Sequence, residues 1–198
     1  MTTAMLEQMP HSGTTDCRFP EWCYGSCKLD RQGAERNHWS SGIRFWAFDV
    51  DDERIAVELY GYENEEDGSN PVRVYLAAGD QNMDEDGTSL CTTEARALGE
   101  ALQAFKPRAP QAEDDLVYSA PGVDGDWAVS AEYRRERYGR DGSCRDEHVE
   151  VSIRPDSTRQ HSIRVRLSMD DAHALGRCLV GQAELADAAN RFFGLVTS

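Results

Sequence analysis

The chain has 198 residues, of which 39% are apolar and 29% charged, and its formal net charge is −15. That length suits one or two small domains able to bury cores, and the longest apolar stretches, such as Phe45 to Phe48, are too short to cross a bilayer. The negative balance argues against direct binding of nucleic-acid phosphate, which needs a cationic surface, and the start Met1-Thr2-Thr3-Ala4 lacks a basic segment followed by an apolar run, so a cytoplasmic protein is expected.

Residues 1 to 16 carry no periodic apolar pattern and are expected to form a flexible tail. A Cys-rich element, 17 to 38, follows. The first module spans 39 to 105. Ile43, Phe45 and Ala47 alternate along one strand and Ile55, Val57 and Leu59 along the next, joined by a hairpin through Asp51-Asp52. Glu63 to Asn70 reads as an acidic loop, Val72 to Ala77 as a strand entered from Pro71, and Gly79 to Gly87 as a second acidic loop. A helix from about Thr92 to Phe105 buries Ala95, Leu98 and Leu102 on one face and stops at Pro107. Thr92 is a candidate to replace Cys91 as its cap.

Residues 106 to 125, with Pro107, Pro110, Pro121 and Glu113-Asp114-Asp115, read as a linker. The second module, 126 to 198, offers strands at Trp127 to Tyr138, His148 to Ile153 and Ile163 to Leu167, then a helix from near Met169 to Phe193 with Leu175, Leu179 and Leu185 inward. The helix Leu90 to Leu102 returns 77 residues later as Leu167 to Leu179, and the same offset carries Val72, Val74 and Leu76 onto Val149, Val151 and Ile153. Fixed-period self-similarity points to a tandem duplication of a small α+β module, an antiparallel sheet followed by a covering helix. Gly99 and Gly176 occupy the same place in the two helices, where close approach of helix to sheet would compensate their low helix propensity. Ser168 with Asp171, and Cys91 with Glu94, stand at capping-box spacing.

Chemistry concentrates in Cys17, Cys23, Cys27 and His38. Three thiols and an imidazole make a complete tetrahedral set for a structural zinc, which would order a segment that has little core of its own. The same residues also fit locally packed thiols or a disulfide. A closed Cys3His set leaves no open position for substrate, so a zinc here would scaffold rather than catalyse.

Phe19-Pro20-Glu21-Trp22-Cys23-Tyr24-Gly25-Ser26-Cys27, the later His38, the Val-x-Val-x-Leu strand and the helix Thr92-Thr93-Glu94-Ala95-Arg96-Ala97-Leu98 resemble an actinobacterial domain family of unknown function. Its members carry a Cys-Pro-x-Trp-Cys-x3-His segment, a distal His, a short sheet and a helix beginning Leu-Thr-x-x-Glu-Ala. The resemblance covers about residues 17 to 105. Phe19 stands where the family has its first Cys and Cys27 where it has its first His. The resemblance implies the fold and no activity.

Other candidates have plainer readings. Cys91 at a helix start could be an activated thiol or a simple cap, Cys178 reads as a small buried residue, and Cys144 lies in a polar turn. His148, His161 and His173 read as surface residues. Asp51-Asp52 and Glu63 to Asp67 are solvating acids before they are a cation site. Arg134, Arg135, Arg137 and Arg140 interleave with Tyr133 and Tyr138, a pattern that in isolation would suit single-stranded nucleic acid. Residues 49 to 86 hold thirteen acids against two Arg, which points to a solvated acidic face or to a surface for a basic partner.

The expected function is non-catalytic: an interaction or regulatory protein with a structural zinc, whose Trp22, Tyr24 and Trp39 anchor a protein partner. Trp46 reads as core. The alternatives are an acidic, nucleic-acid-mimicking antagonist of a DNA-binding partner, and an enzyme with a site between the modules.

Overall fold

The structure, a computed structural model, describes residues 23, 28–29, 35–40, 42–47, 54–64, 68–79, 86–106, 117–120, 129–138, 144–154 and 163–195. Strands β1 (Lys28–Leu29), β2 (Glu35–Trp39), β3 (Ile43–Trp46), β4 (Arg54–Asn64), β5 (Gly68–Ser69), β6 (Arg73–Gly79) and β7 (Asp86–Leu90) precede helix α1 (Thr92–Ala104). Strands β8 (Val117–Ala120), β9 (Val129–Tyr138), β10 (Cys144–Ile153) and β11 (Ile163–Leu167) precede helix α2 (Met169–Phe193). The fold is α+β, with two antiparallel sheets and two helices.

The first sheet is built around the 11-residue β4. On one side β4 pairs with β2, through Trp39 opposite Tyr60, and then with β3, through Ile43 opposite Val57. On the other side it pairs with β6, which pairs with β7. The second sheet runs β11-β10-β9-β8. Both halves are thus antiparallel meanders followed by a helix. The 77-residue offset carries Asp86–Leu90 onto Ile163–Leu167 and Thr92 onto Met169. The ladders differ in register: Leu90 faces Val74, whereas Leu167 faces Val149, two residues short of the position the offset assigns.

Alternation sets the core. Ile55, Val57 and Leu59 of β4, Val74 and Leu76 of β6, Val149, Val151 and Ile153 of β10, and Val165 and Leu167 of β11 point to one side and join the helices in one continuous buried cluster. The helices bury matching residues, Ala95, Leu98, Gly99 and Leu102 on α1 and Ala172, Leu175, Gly176 and Leu179 on α2. Fully buried leucines such as Leu98 and Leu175 each contribute about 1.5–3 kcal/mol by leaving water.

These glycines mark a helix-to-helix contact, not the helix-to-sheet approach expected from sequence. A methyl on Gly99 would lie 2.6 Å from the Gly176 carbonyl oxygen, and one on Gly176 would lie 2.6 Å from that of Gly99. The helices run antiparallel through this crossing. Arg96 pairs with Asp187 at 2.7 Å on one side of it, and His173 Nε2 lies 2.8 Å from the Phe105 carbonyl on the other. Nor does each helix cover only its own sheet. α2 packs on β6, β4 and β3 as well as β10 and β11, and α1 reaches β8. Buried Asn190 near the end of α2 fixes this: its Oδ1 accepts from the Val72 amide at 2.6 Å and its Nδ2 donates to the Val72 carbonyl at 3.0 Å.

The helix ends follow the sequence with one change. Ser168 caps α2, accepting from the Asp171 amide at 3.1 Å. Cys91, not Thr92, caps α1, and Glu94 reaches back to accept from the Cys91 amide at 2.8 Å. Gly194 closes α2 with φ 67°, a left-handed value that glycine adopts without a Cβ penalty, and donates to the Arg191 carbonyl. Leu185 points outward and is 54% exposed, because the inward stripe of α2 continues through Ala183, Ala186 and Asn190 instead. β8 lies inside the stretch read as linker, and β2 runs from the Cys-rich element across its expected boundary to Trp39. No helix among the described residues is long and apolar enough to cross a membrane.

Candidate functional site

The outer face of the first sheet collects the aromatic residues that the core-facing alternation turns away. On β2, His38 points inward and is fully buried, so Asn37 and Trp39 project outward. On β4 the inward Leu59 leaves Glu58 and Tyr60 outward, and on β6 Val74 and Leu76 leave Arg73 and Tyr75 outward. Cross-strand register then places Trp39 opposite Tyr60, Tyr60 opposite Arg73, and Glu58 opposite Tyr75.

Trp39 is the centre of this group. Its ring lies 4.5 Å from Tyr60 at 41° and 5.1 Å from Tyr75 at 83°, within the range where tilted and edge-to-face pairs attract. The Tyr60 hydroxyl donates to Asn37 Oδ1 at 2.8 Å, which fixes the ring that Trp39 leans on. The strand end behind Trp39 is also tied down. The Ser40 amide donates to the Leu59 carbonyl at 3.0 Å, and Ser40 Oγ accepts from the Leu59 amide at 2.7 Å. All three rings remain partly exposed. A side chain at Gly42 would run into the Glu58 carboxylate, so Glu58 lies toward the β3 edge of the face.

Of the residues singled out for a partner, Trp39 occupies this face, while Trp22 and Tyr24 lie outside the described residues, as does the side chain of Trp46. Of the proposed zinc ligands, Cys23 and His38 are buried, at 3% and 0% exposure, and Cys17 and Cys27 lie outside the described residues. Among the described residues no three His, Cys, Asp or Glu come together as metal ligands. The acids at 51–52 and 65–67 also lie outside them.

Neither the thiol that caps α1 nor the thiol within α2 is activated. Burial, followed by Glu94, outweighs the helix-start hydrogen bonds at Cys91 and raises its pKa, and burial pushes Cys178 up to about 12. A thiol held in its neutral form is a poor nucleophile at neutral pH. The helix dipole favours the Cys91 thiolate, but desolvation of the charge is the larger effect there.

His148 is fully buried on β10, opposite Arg134, instead of lying at the surface. His173 is bound to the C-terminal end of α1 through the Phe105 carbonyl, and His161 lies outside the described residues. In the Arg cluster, Tyr133 belongs to the core, and Arg134 pairs with Glu132 and, at 3.9 Å, with Glu150. That arrangement removes one ring and one cation from any base-stacking surface. Sequence reasoning missed Tyr60 and Tyr75. The signal was their position between the inward residues Leu59 and Leu76, which places both rings on the side of the sheet away from the core.

The chain matches no protein-family model and no curated protein.

Proposed function

We propose that this is a non-catalytic interaction or regulatory protein that binds a basic protein segment on the outer face of its first sheet. The observation that carries this reading is the Trp39-Tyr60-Tyr75 group. A preset trio of partly exposed rings offers large contact area at low entropy cost, and an arginine side chain can stack on it through cation–π attraction. Glu58 lies within the face, and the stretch 49 to 86, which supplies β4, β6 and their connections, holds thirteen acids against two Arg. Long-range attraction to a cationic partner follows.

The same reading gives Cys17, Cys23, Cys27 and His38 one structural zinc that orders the Cys-rich element. The burial of Cys23 and His38 supports it, as does the suitability of thiolate and imidazole donors for zinc. The two halves are read as tandem copies of one module, supported by their shared meander-then-helix order and matching helix faces. The enzyme alternative gains nothing at the helix crossing, where the Gly99 and Gly176 backbones touch.

Calorimetric titration with an arginine-rich peptide and a glutamate-rich control tests the function. Saturable binding of the basic peptide alone is expected, weakened about 10-fold or more in Trp39→Ala. Equal binding of both peptides, or affinity unchanged in Trp39→Ala, would refute the proposed face.

A further inference from the structure

The inward stripe of α2 runs through Ala172, Leu175, Gly176, Leu179, Ala183, Ala186 and Asn190. Its opposite side bears a second stripe, Gly181, Leu185, Ala188 and Phe192, at spacings of four, three and four, which keep them on one line of an α-helix. Leu185 and Phe192, 54% and 83% exposed, are the two large apolar side chains that stand exposed among the described residues, and both fall on this line. Gly181 is equally telling. Gly99 and Gly176 are explained by their mutual contact, whereas a methyl on Gly181 would meet nothing within 4 Å. Glycine inside a helix is disfavoured relative to alanine, and nothing among the described residues requires it there.

We propose that this stripe is a self-association face on which a second copy of the chain packs its own α2 antiparallel. In one register Phe192 of each copy enters the space over Gly181 of the other, and Leu185 lies over Ala188, so every large residue meets a small one. Glu184 and Arg191, both exposed on the same flank of the stripe, come within two positions of each other twice in the same register, about 3 Å along the axis and within reach of their long side chains. A parallel pairing in register would put Phe192 on Phe192 and Gly181 on Gly181, and would carry Glu184 and Arg191 of the two copies to opposite sides of the seam, which gives neither shape nor charge complementarity. The contact covers about 16 Å of each helix, from a rise of about 1.5 Å per residue. It therefore lies at the small end of specific interfaces and forms a reversible, concentration-dependent dimer.

Sedimentation of the full chain between about 10 μM and 1 mM tests this, over the range in which small interfaces associate. The average mass is expected to rise toward twice the monomer mass with concentration. Phe192→Glu should raise the dissociation constant about 30-fold or more, because it replaces the large apolar anchor at both ends of the contact with a charge. Glu184→Arg and Arg191→Glu should each weaken association, and the double variant should restore it to within about threefold of the wild type if the pairs are reciprocal. All three positions are exposed, and circular dichroism verifies that each variant remains folded. A wild type that stays monomeric to 1 mM would assign the stripe to another occupant and overturn the proposal. So would a dimer indifferent to Phe192→Glu, or a double variant no better than the single ones.

Discussion

Gly99 and Gly176 approach each other through their backbones: a methyl on either would lie 2.6 Å from the carbonyl oxygen of the other. Alanine at Gly99 or Gly176 gains helix propensity of about 1 kcal/mol but forces two helices apart, a strain of about 1–3 kcal/mol. Each substitution is expected to lower stability in urea unfolding. Gly181→Ala, with nothing within 4 Å of the new methyl, is expected to raise it by up to about 1 kcal/mol at concentrations where the chain is monomeric. Equal effects at the three positions would show that the crossing is looser than described.

Asn190 makes both hydrogen bonds of the Val72 backbone from the far end of the chain. Asn190→Ala leaves a buried amide and carbonyl without that partner and is expected to cost about 2–4 kcal/mol. Hydrogen exchange gives the sharper readout: the Val72 amide should lose protection before the central residues of β10 do. Unchanged protection at Val72 would contradict the clasp.

Asp187 gives a pH dependence. Burial pushes its carboxyl up, but the Thr92 hydroxyl and the Arg96 guanidinium more than reverse this and hold its pKa below the ordinary value. A depressed folded pKa means stability that is present above the unfolded pKa and lost as pH falls through the folded one. Asp187→Asn should therefore be less stable than the wild type at neutral pH, with the difference shrinking as pH falls below the carboxylate range. A gap that persists or widens in acid would contradict the assignment.

Much of the fold was legible because it depends on alternation and helical periodicity. Ile55, Val57 and Leu59, the Val149 to Ile153 strand, and the two helix faces all follow from side-chain spacing. β7 escaped notice although the 77-residue offset projects β11 onto it, because Asp86-Gly87-Thr88-Ser89 has little strand propensity and is held by pairing with β6. Leu185 was misplaced because apolar character alone cannot tell an inward stripe from an outward one. Asn190, a polar residue on the buried face, marks the true one. The candidate face was half legible. Trp39 stood out by residue type, but Tyr60 and Tyr75 join it only through the pairing of β4 with β2 and β6, which no local pattern encodes.

Metal content tests the Cys-rich element separately. Protein prepared without chelator is expected to carry one zinc per chain, with sulfur about 2.3 Å from the metal by X-ray absorption. Removing it should loosen residues near Cys23 and His38 while leaving α1 and α2 folded, because the helices have their own apolar faces. Cys178, with a pKa near 12, should resist alkylation at pH 8 with or without metal. Chain prepared this way that lacks zinc would leave Cys17, Cys23, Cys27 and His38 as ordinary side chains.

The claim that Trp39 anchors a basic partner is tested most directly by nitrogen–proton correlation spectra recorded while an arginine-rich peptide is added. The Trp39 indole signal is identified by its disappearance in Trp39→Phe. It is expected to shift progressively to saturation, together with the backbone amides of Tyr60 and Tyr75. Peptide-induced shifts elsewhere that leave the Trp39 indole and these two amides unmoved would contradict the account.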